Sequence, residues 1–183
     1  DSKVVKKISF TGSTKVGKIL SAQSANTIKR ISLELGGNAP FIVFQDANID
    51  AAITGIMMAK LRNAGQACVA ANRIFLHEDI YNDVLEKLKL KFQALHVGAG
   101  WLKNNDLGPL INKEAQERIL NMIQDAQDKG ATIHQYNNTS NNNENENGSF
   151  IMPTIISNIS TNMQCYQEEI FGPVAALYKF TNN

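Results

Sequence analysis

Apolar positions recur along the chain with two periods. Residues 8–10 close one short strand-like run, and Ile31, Leu33 and Leu35 alternate with Ser32 and Glu34 in another. Between them, residues 12–17 (Gly-Ser-Thr-Lys-Val-Gly) open a helix that carries Val16, Ile19 and Leu20 on one face. Strand, glycine turn, helix and strand make the repeating unit of a parallel sheet. After Gly36 and Gly37, residues 40–44 predict a buried strand. Asp46 or Asn48 is placed to cap a helix bearing Ile49, Ala52, Ile53, Ile56 and Met57. A turn through Asn63, Ala64, Gly65 and Gln66 leads to Cys68, and residues 73–77 predict a strand. Tyr81, Val84, Leu85, Leu88 and Phe92 define an amphipathic helix. Residues 113–129 define another, with Ile119, Met122, Ile123 and Ala126 inward and Gly130 as its stop. Residues 131–136 and 174–180 are further strand candidates. The alternation of strands and helices indicates an α/β fold.

One segment departs from this pattern. Seven of the eleven residues at 137–147 are Asn, and none is apolar, so an insertion at about 137–148 is expected to be solvated and without fixed structure.

Composition narrows the function classes. The 183 residues are 43% hydrophobic and 19% charged, enough to bury a sizeable core. With 18 Lys and Arg against 17 Asp and Glu, the net charge of +1 offers no basic stripe for nucleic acid. No apolar run approaches the roughly 18 residues that span a bilayer, so no membrane partner is expected. Two Cys cannot build a disulfide scaffold, which points to an intracellular setting, cytoplasmic or mitochondrial. The chain starts at Asp1 and stops soon after a strand-like run, and reads as a piece of a longer subunit.

Five features are candidates for chemistry. His77, His96 and His134 stand apart from one another and from the two Cys, so no metal site is expected. Cys68 follows Gly65-Gln66-Ala67, where a glycine permits a tight turn. If that turn ended at a helix start, the helix would lower the thiol pKa; otherwise Cys68 is a small buried hydrophobe. Glu34 precedes Gly36 and Gly37 at the carboxyl end of a strand, where open α/β sheets place their sites; the plain alternative is a solvent-facing carboxylate. Gly12 and Ser13 lie in a strand-to-helix turn able to meet a phosphate, although the turn is neither a P-loop nor a G-x-G-x-x-G fingerprint. Residues 168–174 (Glu-Glu-Ile-Phe-Gly-Pro-Val) read by default as a turn into a strand, and Arg62 as a surface charge.

Together these segments resemble the NAD(P)-dependent aldehyde dehydrogenase superfamily. The stretches that carry the resemblance are residues 10–14 (Phe-Thr-Gly-Ser-Thr), 33–38 (Leu-Glu-Leu-Gly-Gly-Asn), 65–68 (Gly-Gln-Ala-Cys) and 168–173 (Glu-Glu-Ile-Phe-Gly-Pro). Each is weak alone; in this order and spacing they are specific, and they cover nearly the whole chain outside the Asn-rich insertion. The resemblance implies the end of a Rossmann-type cofactor domain at 1–35, followed by most of an α/β catalytic domain at 36–183. It implies NAD or NADP as cofactor, and a homo-oligomeric subunit, dimer or tetramer.

Roles follow from the resemblance position by position. Cys68 would be the nucleophile and Glu34 the general base, with burial near an apolar strand end raising its pKa. Gly12 and Ser13 would meet the cofactor pyrophosphate, and Leu35 and Gly36 would line the nicotinamide pocket. Glu169 would hold the nicotinamide ribose and Phe171 would pack near the ring. Residues 60–69 look most like succinate-semialdehyde dehydrogenases, in which an Arg at the position of Arg62 would bind the substrate's distal carboxylate. Some members carry a second Cys two residues after the nucleophile; here Ala70 occupies that place, so a disulfide switch there is not expected. The competing readings are a dehydrogenase for another small aldehyde, a cysteine hydrolase or acyltransferase without nicotinamide, and a non-catalytic interaction fragment. As an isolated piece the chain is expected neither to bind NAD(P) normally nor to turn over.

Overall fold

The computed structural model describes residues 2–136 and 148–181. The Asn-rich segment 137–147 lies outside the described residues. The chain forms two compact units, Asp1–Gly37 and Asn38–Asn183.

The first unit is the expected strand–helix–strand. β1 (Lys7–Gly12) pairs in parallel with β2 (Arg30–Leu35), in a register that sets Phe10 beside Leu33 and Thr11 beside Glu34. α1 (Thr14–Ala25) crosses between them. Ser13 starts this helix: its backbone is extended and its Oγ accepts the Val16 N–H at 3.3 Å. Gly17 lets α1 lie close to β2, because a Cβ there would stand 2.7 Å from the Leu35 side chain. The apolar face expected on α1 is only partly covered. Val16 and Ile19 stay 39% and 48% exposed, since a sheet two strands wide offers too little surface to bury a three-turn helix.

The second unit is a five-stranded sheet with helices on both faces. Its strands are β3 (Pro40–Val43), β4 (Arg73–His77), β5 (Thr132–Gln135), β6 (Thr154–Ser157) and β7 (Val174–Phe180). They lie in the order β3-β4-β7-β6-β5, parallel throughout except for β5, which runs antiparallel to β6. Among the described residues four α-helices complete the unit: α2 (Ile49–Leu61), α3 (Glu78–Gln93), α4 (Lys113–Asp128) and the single turn α5 (Gln164–Gln167).

Strand alternation divides the core into two layers. Ile74, Leu76, Ile155, Ala175 and Leu177 face α2 and α3, where Ile53, Ile56, Val84, Leu88 and Phe92 are buried. Ile156, Val174, Ala176 and Tyr178 face α4 and α5, against Ile119, Met122, Ala126 and Cys165. Asn48 rather than Asp46 caps α2, accepting the Ala51 N–H at 3.0 Å. Gly130, at φ +93°, ends the turn after α4 as a left-handed stop.

Two strand readings are corrected. The sequence predicts a buried strand at 40–44, yet β3 is bonded to β4 alone and lies at the sheet edge, leaving Ile42 and Phe44 about half exposed. β6 was not predicted. It is four residues long and buried on both faces, so it shows no alternation of apolar and polar residues to betray it.

Candidate active site

Of the nine candidate site residues, Gly12, Ser13, Glu34, Leu35 and Gly36 belong to the first unit, and Arg62, Cys68, Glu169 and Phe171 to the second. In the first unit Gly12 ends β1 and Ser13 begins α1, so the helix N-terminus opens directly beyond the strand. The Ser13 oxygen accepts from Val16 and keeps its own hydrogen to donate. Glu34 and Leu35 close β2, and Gly36 follows. Glu34 is exposed, so the buried setting expected of a base is not found within this unit.

In the second unit the chain between α2 and β4 makes a compressed turn. Asn63, Ala64 and Gly65 have φ of 53°, 52° and 75°, three consecutive residues in the left-handed region. Gly takes this conformation freely; the other two are strained and must be held by their surroundings. Gln66 does much of the holding. Its Oε1 accepts the Ile111 N–H at 2.9 Å, its Nε2 donates to the Asn63 carbonyl at 3.2 Å, and its own carbonyl accepts from Asn63 Nδ2 at 3.0 Å.

Cys68 follows in a second short turn, closed by Ala70 N–H donating to the Ala67 carbonyl. It does not start a helix, as one sequence reading allowed; the chain goes on through bends to β4. Ala71 N–H donates to Ala59 in α2, and Asn72 and Arg73 N–H both donate to Ala39, which anchor the far end. The result is an exposed thiol on a loop tied down on both sides. Among the described residues the Cys68 N–H has no hydrogen-bond acceptor, and the Arg62 guanidinium makes no hydrogen bond or ion pair. The other thiol, Cys165, is buried, and burial together with the Asp125 carboxylate pushes it up to about 11.

The loop carrying Glu169 and Phe171 meets this turn directly. A Cβ on Gly65 would stand 2.1 Å from the Gly172 carbonyl oxygen, so the two backbones touch where Gly65 has no side chain. Beneath them lies Lys60, 1% exposed at the end of α2. Burial pushes its ammonium down to about 8, an effect opposed by the nearby Glu169 carboxylate.

The sequence reading missed Lys60, Asn72 and Arg118. For Lys60 a signal existed: it falls four residues after Ile56 and seven after Ile53, on the apolar stripe of α2. The other two make their bonds to backbone groups distant in sequence, for which no pattern exists. Among the described residues no group of His, Cys, Asp and Glu could hold a metal ion, and no helix is long and apolar enough to cross a membrane.

Fold and site together describe a three-layer α/β unit with an exposed thiol on a pinned loop between a helix and a parallel strand, preceded in sequence by a strand–helix–strand unit. The chain belongs to the aldehyde dehydrogenase family, whose profile matches residues 1–183. It is 43% identical over 177 residues to the NADP+ succinate-semialdehyde dehydrogenase GabD of Escherichia coli (strain K12), covering 97% of this chain and 36% of that protein. It is 44% identical over 179 residues to a 3-sulfolactaldehyde dehydrogenase of Pseudomonas putida, covering 98% and 36%. Among solved structures, the NAD+ complex of an aldehyde dehydrogenase from Bacillus cereus superposes with a TM-score of 0.91 at 36% identity, over 100% of this chain and 36% of that one. The chain thus spans about a third of the length of the relatives it matches.

Proposed function

We propose that this chain is part of an NAD(P)-dependent aldehyde dehydrogenase subunit that oxidises succinate semialdehyde to the acid through Cys68. The observation that carries this reading is the exposed Cys68 thiol on a loop packed against the Glu169 loop, while the second thiol is buried and protonated.

The Cys68 thiolate adds to the aldehyde carbon, forming a C–S bond and placing a negative charge on the former carbonyl oxygen. The unbonded Cys68 N–H is one donor available to that oxyanion. The hydride that leaves the carbon needs an acceptor, which a nicotinamide would supply when bound. Reformation of the carbonyl leaves a thioester on Cys68. Glu34 takes a proton from water, whose oxygen attacks the thioester carbon; the C–S bond breaks with its electron pair on sulfur, the acid is released and the Cys68 thiolate is restored.

The residues present fit the cofactor. Ser13 and the first turn of α1 present donors suited to a pyrophosphate. The half-buried Glu169 carboxylate can accept two ribose hydroxyls. Gly12, Leu35, Gly36 and Phe171 complete the cofactor assignment. The substrate's distal carboxylate is given to Arg62, whose unpaired guanidinium suits a bidentate anion contact. Succinate semialdehyde and 3-sulfolactaldehyde, named for two relatives, each carry an anion away from the aldehyde, which supports a cation at this place. A dehydrogenase for another small aldehyde, with Arg62 serving only structure, is the second reading, favoured only by the surface exposure of Arg62. The subunit is taken to be a soluble homo-oligomer acting on a small molecule, and this chain alone is taken to be inactive.

Two outcomes follow. Arg62→Ala is expected to raise KM for succinate semialdehyde by the value of one charge-assisted pair, about 1.5–3 kcal/mol. It should leave a neutral aldehyde of similar length nearly unaffected. Equal losses for both substrates, measured by steady-state kinetics, would return Arg62 to a structural role. Glu34→Gln is expected to keep a single-turnover burst of NAD(P)H and to slow the steady state, because only thioester release needs the base. Loss of the burst in stopped-flow absorbance would place Glu34 earlier in the sequence of steps.

A further inference from the structure

The backbone of residues 168–170 is held by two side chains from elsewhere in the second unit. Asn72 is 2% exposed and uses both ends of its amide. Its Nδ2 donates to Asn38 Oδ1 at 2.5 Å and to the Glu168 carbonyl at 3.2 Å, and its Oδ1 accepts the Ile170 N–H at 2.9 Å. From α4, Arg118 donates through Nη1 to the Glu169 carbonyl at 3.1 Å and through Nη2 to the Ile170 carbonyl at 2.5 Å. Three consecutive carbonyls and one N–H are therefore bonded to side chains, not to a neighbouring strand. The next residue, Phe171, sits at φ 54°, a conformation that a non-glycine residue keeps only when its flanks are fixed.

Asn72 is also four residues beyond Cys68, at the anchored end of the nucleophile loop. One amide thus ties the loop that carries the thiol to the loop that carries Glu169. An amide suits this task because it donates and accepts at once; a carboxylate can only accept, and an apolar side chain can do neither.

We propose that Asn72 and Arg118 are positioning residues that hold the Glu169 loop in the shape that binds the nicotinamide ribose, with Asn72 also setting that loop against the Cys68 loop. This rests on the assignment of Glu169 to the ribose. A carboxylate that accepts two hydroxyls must sit within a few tenths of an ångström of its place; Ile170, 1% exposed, anchors one side of Glu169 by packing, but Glu168 and Phe171 are exposed, so packing alone does not fix the backbone around it. The clamp supplies that restraint.

The test uses the complete subunit carrying this chain. Asn72→Asp keeps the shape and the bond from the Ile170 N–H, but sets a carboxylate against two acceptors, Asn38 Oδ1 and the Glu168 carbonyl. It is expected to raise the Kd for NAD(P)+, measured by calorimetry, about tenfold, which corresponds to ~1.4 kcal/mol. Arg118→Met on the exposed side of α4 is the second variant, with an expected rise of about threefold, or ~0.65 kcal/mol. For both, KM for the cofactor should rise in step with Kd, more than kcat falls, and the rate of Cys68 alkylation without cofactor should change less for Arg118→Met than for Asn72→Asp. If both variants fold, with melting temperatures well above the assay temperature, and bind NAD(P)+ within twofold of the parent, the proposal is overturned. If Asn72→Asp does not fold, Arg118→Met decides on the same criterion. Glu169→Gln separates the two assignments: with its Kd unchanged but that of Asn72→Asp raised, the clamp stands and the ribose contact moves to another residue of the loop.

Discussion

Cys68→Ser is expected to lower dehydrogenase turnover in the complete subunit by at least about a thousandfold, ~4 kcal/mol in the barrier, with NAD(P)+ binding retained. The reason lies in the nucleophile. A thiol yields some thiolate near neutral pH and is intrinsically a strong nucleophile, whereas a serine hydroxyl stays protonated unless a base is built beside it. Among the described residues Cys68 has no such base at hydrogen-bond distance. The second thiol cannot substitute. Burial and Asp125 raise Cys165 to about 11, so its reactive form appears only as the pH rises toward that value and is scarce at neutrality. Alkylation at pH 7 should label Cys68 and spare Cys165, which peptide mapping reads directly. NAD(P)H production by the Ser variant at a rate near the parent's would remove Cys68 from the role of nucleophile.

Gly65→Ala is expected to be the most damaging small substitution in the second unit. Two costs fall on one methyl group. The backbone at φ +75° disfavours any Cβ by about 1–2 kcal/mol. The Cβ itself would stand 2.1 Å from the Gly172 carbonyl oxygen and 2.5 Å from its carbon, which are backbone atoms that cannot swing away. Overpacking of that kind adds about 1–3 kcal/mol. Any relief pushes the Cys68 and Glu169 loops apart, so cofactor affinity should fall with stability. Gly130→Ala is the internal comparison: its φ is +93° and nothing lies within 4 Å of the added methyl, so it carries the strain without the clash. Thermal unfolding of both variants separates the terms, and an equal drop in melting temperature would mean that the loops are free to separate.

Much of this architecture is legible along the chain. α4 declares itself because Ile119, Met122, Ile123 and Ala126 repeat at helical spacing, and all four are buried. β1, β2, β4 and β7 are visible as short apolar runs between turn residues, and Gly130 as a stop. The candidate residues were equally visible, but as motifs in order along the chain, which says nothing of how they meet.

The amino-acid sequence by itself determined most local elements, with β6 and α5 the exceptions, together with the α/β class and the family, because hydrophobic period, capping residues and short motifs are properties of neighbours in the chain. Only the tertiary structure decided the strand order β3-β4-β7-β6-β5, since parallel strands bond through backbone groups that are alike in every residue. For the same reason β3 became an edge strand although its residues read as buried. The clamp on the Glu169 loop is the sharpest case. Asn72 and Arg118 act across 96–98 and 51–52 residues of sequence, on carbonyls and an N–H that no side-chain pattern marks. A polar side chain shows what it is able to bond; which backbone it bonds is set when the sheet brings distant loops to the same end of its strands.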